Sequence, residues 1–441
     1  MQKHTNNPMA SSKKKQCARR KEKADKKRET KRTHMRQQRD MKLKLKDPEI
    51  AAAKTLCQTY MGRDILPAPP FRDKQTKRKF SQITVGSDCS GVGTDVVAVK
   101  QACIKKGIAV DFKFMSEADP STRKMHSALG QYHGLKPQAK VSDLVNAPSI
   151  KDMDLYIAGP PCPSYSTLNA RGAGGDDARG TVLYHVCQYI MKNKPKTFVI
   201  ENVAGLMRKH PKDFAVVLTN LSTAGYQVTW DIVNSLQSGC AQSRPRIYVI
   251  GLRNDRRYHQ FTWPQDIKMV APLDMFLDQK PNAKLPAFNA TESRNYKAWD
   301  KKIKKMGMSL QSTTFMMDLG AGKQFGQCTQ DKSPCITRAR GGSMGYFISN
   351  QNRYTNLHDL GRLQGFTTKE VDAIIASGIS EKQIGAAIGN AMNKMVLDRL
   401  LPKVLWAAGL SGDTKIEDPW KKFDWRKCKM MPDGNKAHFG L

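Results

Sequence analysis

From about Ile83 to residue 252, short apolar runs alternate with longer stretches that carry helical periodicity. Ile83 to Val85, Phe112 to Met115, Leu155 to Ala158 and Phe198 to Ile200 are the runs, and their apolar density predicts buried strands. Helices fill the intervals. One is predicted over Phe214 to Ala224, where Phe214, Val217, Leu218 and Leu221 share a face and Gly225 stands as a C-terminal stop. This alternation predicts an open, mostly parallel α/β sheet whose ligands sit beyond the carboxyl ends of the strands.

Past residue 252 the pattern fades into a weakly periodic stretch that includes Lys301-Lys302-Ile303-Lys304-Lys305, as expected of a separate small domain. Regular patterning returns over Asp359 to Leu400. There Val371, Ile374 and Ile375 predict one helix, and a second is expected from Ala391. The expected organisation is a basic arm over 1–60, a linker over 61–82 marked by Pro67, Pro69 and Pro70, an α/β domain over 83–252, an inserted domain over 253–335, a return to the α/β domain over 336–410, and a basic tail over 411–441. Trp420 and Trp425 in that tail suit packing better than base stacking.

Charge adds a partner to this outline. The 441 residues carry a formal net charge of +35, which predicts a polyanion, because neutralising phosphates releases condensed counterions. Residues 1–50 alone hold 18 Lys/Arg against 6 Asp/Glu. Lys13-Lys14-Lys15 and Arg19-Arg20-Lys21 fit a nuclear import signal, a phosphate grip or a solvated run equally well. Ten cysteines lie scattered without a Cys-x-x-Cys pair, so neither a zinc site nor a disulfide framework is expected, and reduced thiols of an intracellular protein are. No apolar run approaches the roughly 20 residues of a membrane span. A soluble monomer without metal is the expectation.

The candidate chemistry falls at the predicted strand ends. Ser87-Asp88-Cys89-Ser90-Gly91-Val92-Gly93-Thr94-Asp95 follows the first strand and opens a helix, so its glycines allow a nucleoside-bearing cofactor to approach the backbone. Glu117, in Ser116-Glu117-Ala118-Asp119 just beyond the next strand, suits the ribose hydroxyls, and Asp143-Leu144 suits an adenine. Taken singly, these acids are equally well surface or capping carboxylates. Asp154 to Ala158 then delivers Gly159-Pro160-Pro161-Cys162-Pro163-Ser164, a rigid turn that holds either a nucleophile or a buried structural thiol. Phe198-Val199-Ile200 ends in Glu201-Asn202-Val203 at the same sheet edge. In Gln242-Ser243-Arg244-Pro245-Arg246, the three longer polar side chains alternate onto one face, which by itself describes an exposed edge strand as well as a binding face.

Taken in order, these segments resemble the DNA cytosine-5 methyltransferase family. The glycine-rich loop, Pro161-Cys162, Glu201-Asn202-Val203, Gln242-x-Arg244-x-Arg246, Arg362-Leu363-Gln364-Gly365-Phe366 and Gly389-Asn390-Ala391 all stand in the family's order, over about residues 83 to 405. The resemblance implies a Rossmann-like S-adenosylmethionine-dependent domain with a small inserted target-recognition domain. It also implies transfer of a methyl group to C5 of cytosine in an extruded base, through thiolate addition at C6. Cys162 would then be the nucleophile. Glu201 would engage N3 and the exocyclic amine, Arg246 would engage O2, and Arg244 would support the catalytic loop. Cys89, Gly91, Gly93, Glu117, Ala118, Asp143, Leu144, Pro160 and Asn390 would form the cofactor site, and Ser164, Arg179 and Gln242 would touch the substrate. The 163–180 segment resembles the family's closing loop. Cys89 replaces a common aromatic residue, Thr94-Asp95 a second glycine and Pro163 a glutamine, which together imply an altered pocket. DNA is the expected polymer; a transfer-RNA methyltransferase and a silent nucleic-acid-binding relative are the alternatives. A nuclear location would follow in a eukaryote.

Overall fold

The computed structural model describes residues 81–411 apart from 136–139, 142–147, 162–180, 257–258, 268–270, 280–283, 323–325 and 344. Cys162, Ser164, Arg179, Asp143 and Leu144 lie outside the described residues, as do the basic arm, most of the linker and all but the first residue of the tail.

A seven-stranded sheet organises the larger part. Its strands are β1 (Gln82–Asp88), β2 (Ala109–Ser116), β3 (Lys140–Val141), β4 (Leu155–Ala158), β5 (Thr197–Val203), β6 (Tyr226–Asn234) and β7 (Pro245–Arg253), in the order β3-β2-β1-β4-β5-β7-β6. Pairs among β1 to β5 are parallel, whereas β7 runs antiparallel to β5 and β6. The chain moves outward from β1 to β3, then crosses to begin again with β4 on the other side of β1. That reversal opens a crevice beyond the carboxyl ends of β1 and β4.

Both faces of the sheet are covered, which accounts for the continuous apolar runs. In β4 every residue is buried. Tyr156 and Ala158 join a core with α3 (Thr181–Asn193) and α5 (Pro211–Thr223). Leu155 and Ile157 face the opposite way, into a core with α1 (Thr94–Ile104) and the C-terminal helix (Lys394–Ala407). Each fully buried aliphatic or aromatic side chain contributes about 1.5–3 kcal/mol, so strand register is strongly fixed. The helix expected over 214–224 starts at Pro211, whose missing N–H costs nothing at a first turn, and it ends before Gly225 at φ 89°.

A four-stranded antiparallel sheet, β11-β10-β8-β9, comprises β8 (Phe315–Met317), β9 (Cys328–Gln330), β10 (Phe347–Ile348) and β11 (Arg353–Tyr354). It therefore crosses the boundary expected at 335. β8 and β9 precede that position, whereas β10 and β11, with the Phe347 that joins the small core, follow it. Phe315, Met317 and Phe347 pack with Ile303 of a 16-residue helix, Ala290–Lys305, while Met316 and Ile348 face the larger part. Counting α2 (Pro120–Tyr132) and α4 (Gly205–Lys209), that helix is α6; α7 (Arg338–Gly341), α8 (Leu357–Leu363), α9 (Thr368–Ile375), α10 (Glu381–Asn390) and the C-terminal helix α11 follow. The helix expected from Ala391 begins instead at Lys394. Ala391 is extended at φ −58° and ψ 148°, and the Asn393 side chain caps α11 by accepting from the Val396 N–H. Among the described residues, no helix is long and apolar enough to cross a membrane.

Candidate active site

At the end of β1 the backbone turns through three left-handed residues, Cys89 (φ 55°), Gly91 (φ 56°) and Gly93 (φ 88°). Glycine meets this demand without strain; Cys89 meets it inside a braced loop. The Gly91 N–H donates to Glu117 Oε2 at 3.0 Å, and the Asp119 N–H donates to the other oxygen at 2.9 Å. Glu117 thus shapes the loop while standing half-buried beyond β2. Asp95, on the first turn of α1, accepts from the hydroxyls of Ser87 and Ser90, and burial pushes its carboxyl up to about 6. Asp88 accepts from Ser116 and from the Tyr156 hydroxyl at 2.7 Å, and burial raises it likewise to about 6. The Cys89 thiol is pushed well above its usual value, first by burial and then by Asp88, Glu117 and Asp95, so it stays protonated.

The β4 end is tied to this loop. The Gly159 N–H donates to Asp88 O at 3.2 Å, and a Cβ on Gly159 would sit 2.6 Å from the end of Met392 and 3.9 Å from Glu201 Oε2. Asn202 Nδ2 donates to Pro160 O at 3.4 Å, which holds the proline turn from the neighbouring strand. Pro161 is exposed. The residue that follows is Cys162.

Glu201 and Arg246 meet because of register. β5 and β7 pair antiparallel with Glu201 opposite Tyr248 and Val203 opposite Arg246, so Arg246 lies diagonal to Glu201 on one face. Arg246 Nε is 3.3 Å from Glu201 Oε1. Burial pushes the Glu201 carboxyl up, and the pull of Arg246 and then Arg244 only partly offsets this. A carboxyl poised toward its neutral form, beside a guanidinium that is partly exposed, can give a proton or hydrogen bond to one acceptor while the arginine neutralises another.

Comparison with known families places this chain. The family described as C-5 cytosine-specific DNA methylase matches residues 89–404. The chain belongs to this family. Its activity is that of a DNA cytosine-5 methyltransferase. Among similar proteins, Type II methyltransferase M.NgoBI of Neisseria gonorrhoeae is 27% identical over 286 residues, 65% of this chain and 83% of the relative. Type II methyltransferase M.HaeII of Haemophilus aegyptius is 27% identical over 294 residues, 64% and 86% of the two chains. In fold the chain is similar to the Entamoeba histolytica methyltransferase EhMeth, with a TM-score of 0.52 and 18% identity over 74% of this chain and 98% of that one.

Within this DNA methylase domain, the expected residues separate into two groups. Glu201, Arg246, Pro160, Gly91, Gly93, Cys89 and Glu117 converge on the carboxyl edge at the β1–β4 crevice, with Ala118 exposed beside Glu117. Asn390 is exposed at the end of α10. Gln242, expected at the substrate, has no exposed surface: its Nε2 donates to Leu363 O at 2.6 Å and its Oε1 accepts from the Ile336 N–H at 3.0 Å. Arg244 is also enclosed, and burial lowers its pKa. It donates to Ile336 O at 2.6 Å, Gly389 O at 3.1 Å and Ala391 O at 2.7 Å. The last two are carbonyls at the end of α10, where a cation offsets the negative pole of the helix. Gln242 and Arg244 therefore lock the 336–391 return segment against β7, and of the three alternating side chains only Arg246 reaches the open face. Gln364 joins that lock, donating to Ile388 O at 2.8 Å.

Four contributors carried no readable signal or a weak one. Tyr156 sits within an apolar run, and only the sheet pairing brings it to Asp88. Asp95 was legible as an acid in a first helical turn, though not as a brace. Asn202 was legible only as part of Glu201-Asn202-Val203. Cys335, whose sulfur lies beside both arginines, comes from 89 residues beyond Arg246 and had no local pattern to mark it.

Proposed function

We propose that the protein methylates cytosine C5 in DNA through a covalent adduct between Cys162 and C6 of a base extruded from the duplex, with S-adenosylmethionine as donor. The observation that carries the proposal is the Glu201–Arg246 pair beside the Gly159-Pro160-Pro161 turn that leads into Cys162. Cytosine C5 is too electron-poor to accept a methyl group directly. Thiolate addition at C6 turns C4–C5 into an enamine, and the negative charge that develops over N3 and O2 needs partners. A protonated Glu201 donates to N3, and Arg246 donates to O2. Burial of Glu201 supports this assignment, because it favours the neutral acid that N3 requires. After methylation, loss of the C5 proton expels Cys162 and restores the aromatic ring.

The crevice fits the donor. Gly91 leaves the backbone bare on the β1 loop, Gly93 makes room for the His126 ring packed beneath it, Gly159 keeps the facing loop close, and Glu117 retains lone pairs for a ribose. The bound cofactor would supply a sulfonium methyl group, and Gly91, Gly93, Glu117, Ala118 and Asn390 would hold it, with Asp143 and Leu144 at the adenine. C6 is hidden in a stacked duplex, so extrusion of the base accompanies this chemistry. We assign target recognition to the small sheet with α6, and contacts to the extruded nucleotide to Ser164 and Arg179.

Purified protein incubated with methyl-labelled cofactor and separate DNA and RNA pools tests the reading. Label is expected in C5 of cytosine in DNA. Label confined to RNA would replace the polymer, and label in neither pool would favour a silent nucleic-acid-binding relative.

A further inference from the structure

We propose that Cys335 is a positioning residue of the cytosine site: its sulfur gathers the Arg244 and Arg246 guanidiniums and so aims Arg246 and preserves the proton on Glu201. Arg246 Nη2 donates toward Cys335 Sγ at 3.6 Å and Arg244 Nη1 does so at 3.7 Å, within normal reach for sulfur. The same Arg246 reaches Glu201 through Nε at 3.3 Å. One sulfur thus receives both arginines while the carboxylate receives one of them. The thiol is partly exposed and unpaired in any disulfide.

Charge explains why a sulfur belongs here. Two buried or half-buried guanidiniums face one carboxyl, and their combined field favours ionised Glu201, which would deprive N3 of its donor. A sulfur that accepts from both guanidiniums draws on that field. Burial pushes the Cys335 thiol up, but Arg246 and Arg244, by charge and by hydrogen bonding, outweigh it and leave the thiol below its ordinary value. Among the described residues, Tyr248 from β7, which burial and Glu201 keep protonated, and Tyr346 ahead of β10, which burial and Cys335 keep protonated, also face this cluster. The Tyr346 hydroxyl donates to Cys335 O at 2.8 Å and fixes the backbone that presents the sulfur. Further out, Arg340 pairs with Asp318 at 2.8 Å, so its charge is already balanced.

The inference rests on the role proposed for Glu201, and its test separates the two. Glu201's proton is held below its folded pKa and lost above it. Removing the sulfur leaves both guanidiniums to act more fully on Glu201 and lowers that pKa, so the alkaline limb of kcat should move to lower pH. With Cys335→Ser, kcat is expected to fall more at the alkaline end of the profile than at the acid end, by up to about tenfold for each pH unit that the limb moves. Cys335→Asp supplies a strong acceptor for both arginines and should return the limb toward that of the native protein. A Ser variant with the native profile, or an Asp variant indistinguishable from Ser, would overturn the inference while leaving methylation by Cys162 intact. A readout that needs no activity uses the unsubstituted protein. Iodoacetamide should alkylate Cys335 faster than Cys103, Cys187 and Cys240, whose thiols burial pushes up to about 12; equal or slower labelling of Cys335 would overturn it too.

Discussion

Two buried carboxylates brace the β1 loop at an electrostatic cost. Asp95 ordinarily titrates at 3.8 and is raised to about 6 by burial. Below the lower value both folded and unfolded chains are protonated. Between the two, the unfolded chain ionises first, so stability falls as pH rises, and above the upper value the loss is complete at about 3 kcal/mol. Asp95→Asn should remove this dependence. Urea unfolding of both proteins between about pH 4 and pH 7 should show the variant gaining on the native protein until about pH 6 and levelling off thereafter. A constant difference across that range would mean that Asp95 is not protonated in the fold. At this scale, the placement of Glu201 and Arg246 on one sheet edge was legible in the sequence, because each stands at a strand end. The sequence could not reveal the fate of Gln242 and Arg244. Alternation assigns a face, but whether that face meets solvent or chain depends on residues 336–391 folding over it.

Elements were legible where burial imposed a pattern. The β4 run, buried on both faces, and α5, with its Pro211 start and Gly225 stop, followed from local chemistry. The small domain was less legible, though α6 did carry a sequence signal. Asn289 and Glu292 form a reciprocal capping box, and Tyr296, Trp299 and Ile303 follow at helical spacing beneath a surface of lysines. Dense charge masked that narrow apolar stripe. Another feature invisible to periodicity is the crossing of α7 and α10. A Cβ at Gly385 would collide with the Gly341 carbonyl, and one at Gly341 with the Gly385 carbonyl, so the helices touch backbone to backbone. Gly385→Ala should therefore cost at least 1–3 kcal/mol by the usual measure of overpacking, rather than gaining the fraction of a kcal/mol that alanine adds to an exposed helix. Urea unfolding would measure it; an unchanged or raised midpoint would contradict this packing. The variant should also lose methylation, because α10 carries Asn390 and the carbonyl that Arg244 grips.

Across the whole molecule, charge and topology converge on one substrate. The crevice between β1 and β4 follows from strand order, and the net charge of +35 supplies a sequence-independent attraction for phosphates. Part of that charge is ordered. Arg294, Lys297, Lys301 and Lys305 are exposed along one face of α6, where spacings of three and four residues align them. Replacing Lys297, Lys301 and Lys305 with Gln should weaken DNA binding to a similar degree for all sequences and flatten the dependence of log K on log salt by about one unit for each phosphate no longer neutralised. Fluorescence titration over a salt series reads both; an unchanged slope would place the duplex elsewhere.

Duplex DNA that carries 5-fluorocytosine tests the covalent role proposed for Cys162. Fluorine cannot leave as the C5 proton does, so an adduct formed during turnover persists. Peptide mass spectrometry after incubation with S-adenosylmethionine should find the nucleotide joined to Cys162, and Cys162→Ser should give no adduct. An adduct on another cysteine, or full methyl transfer by Cys162→Ser, would contradict the account.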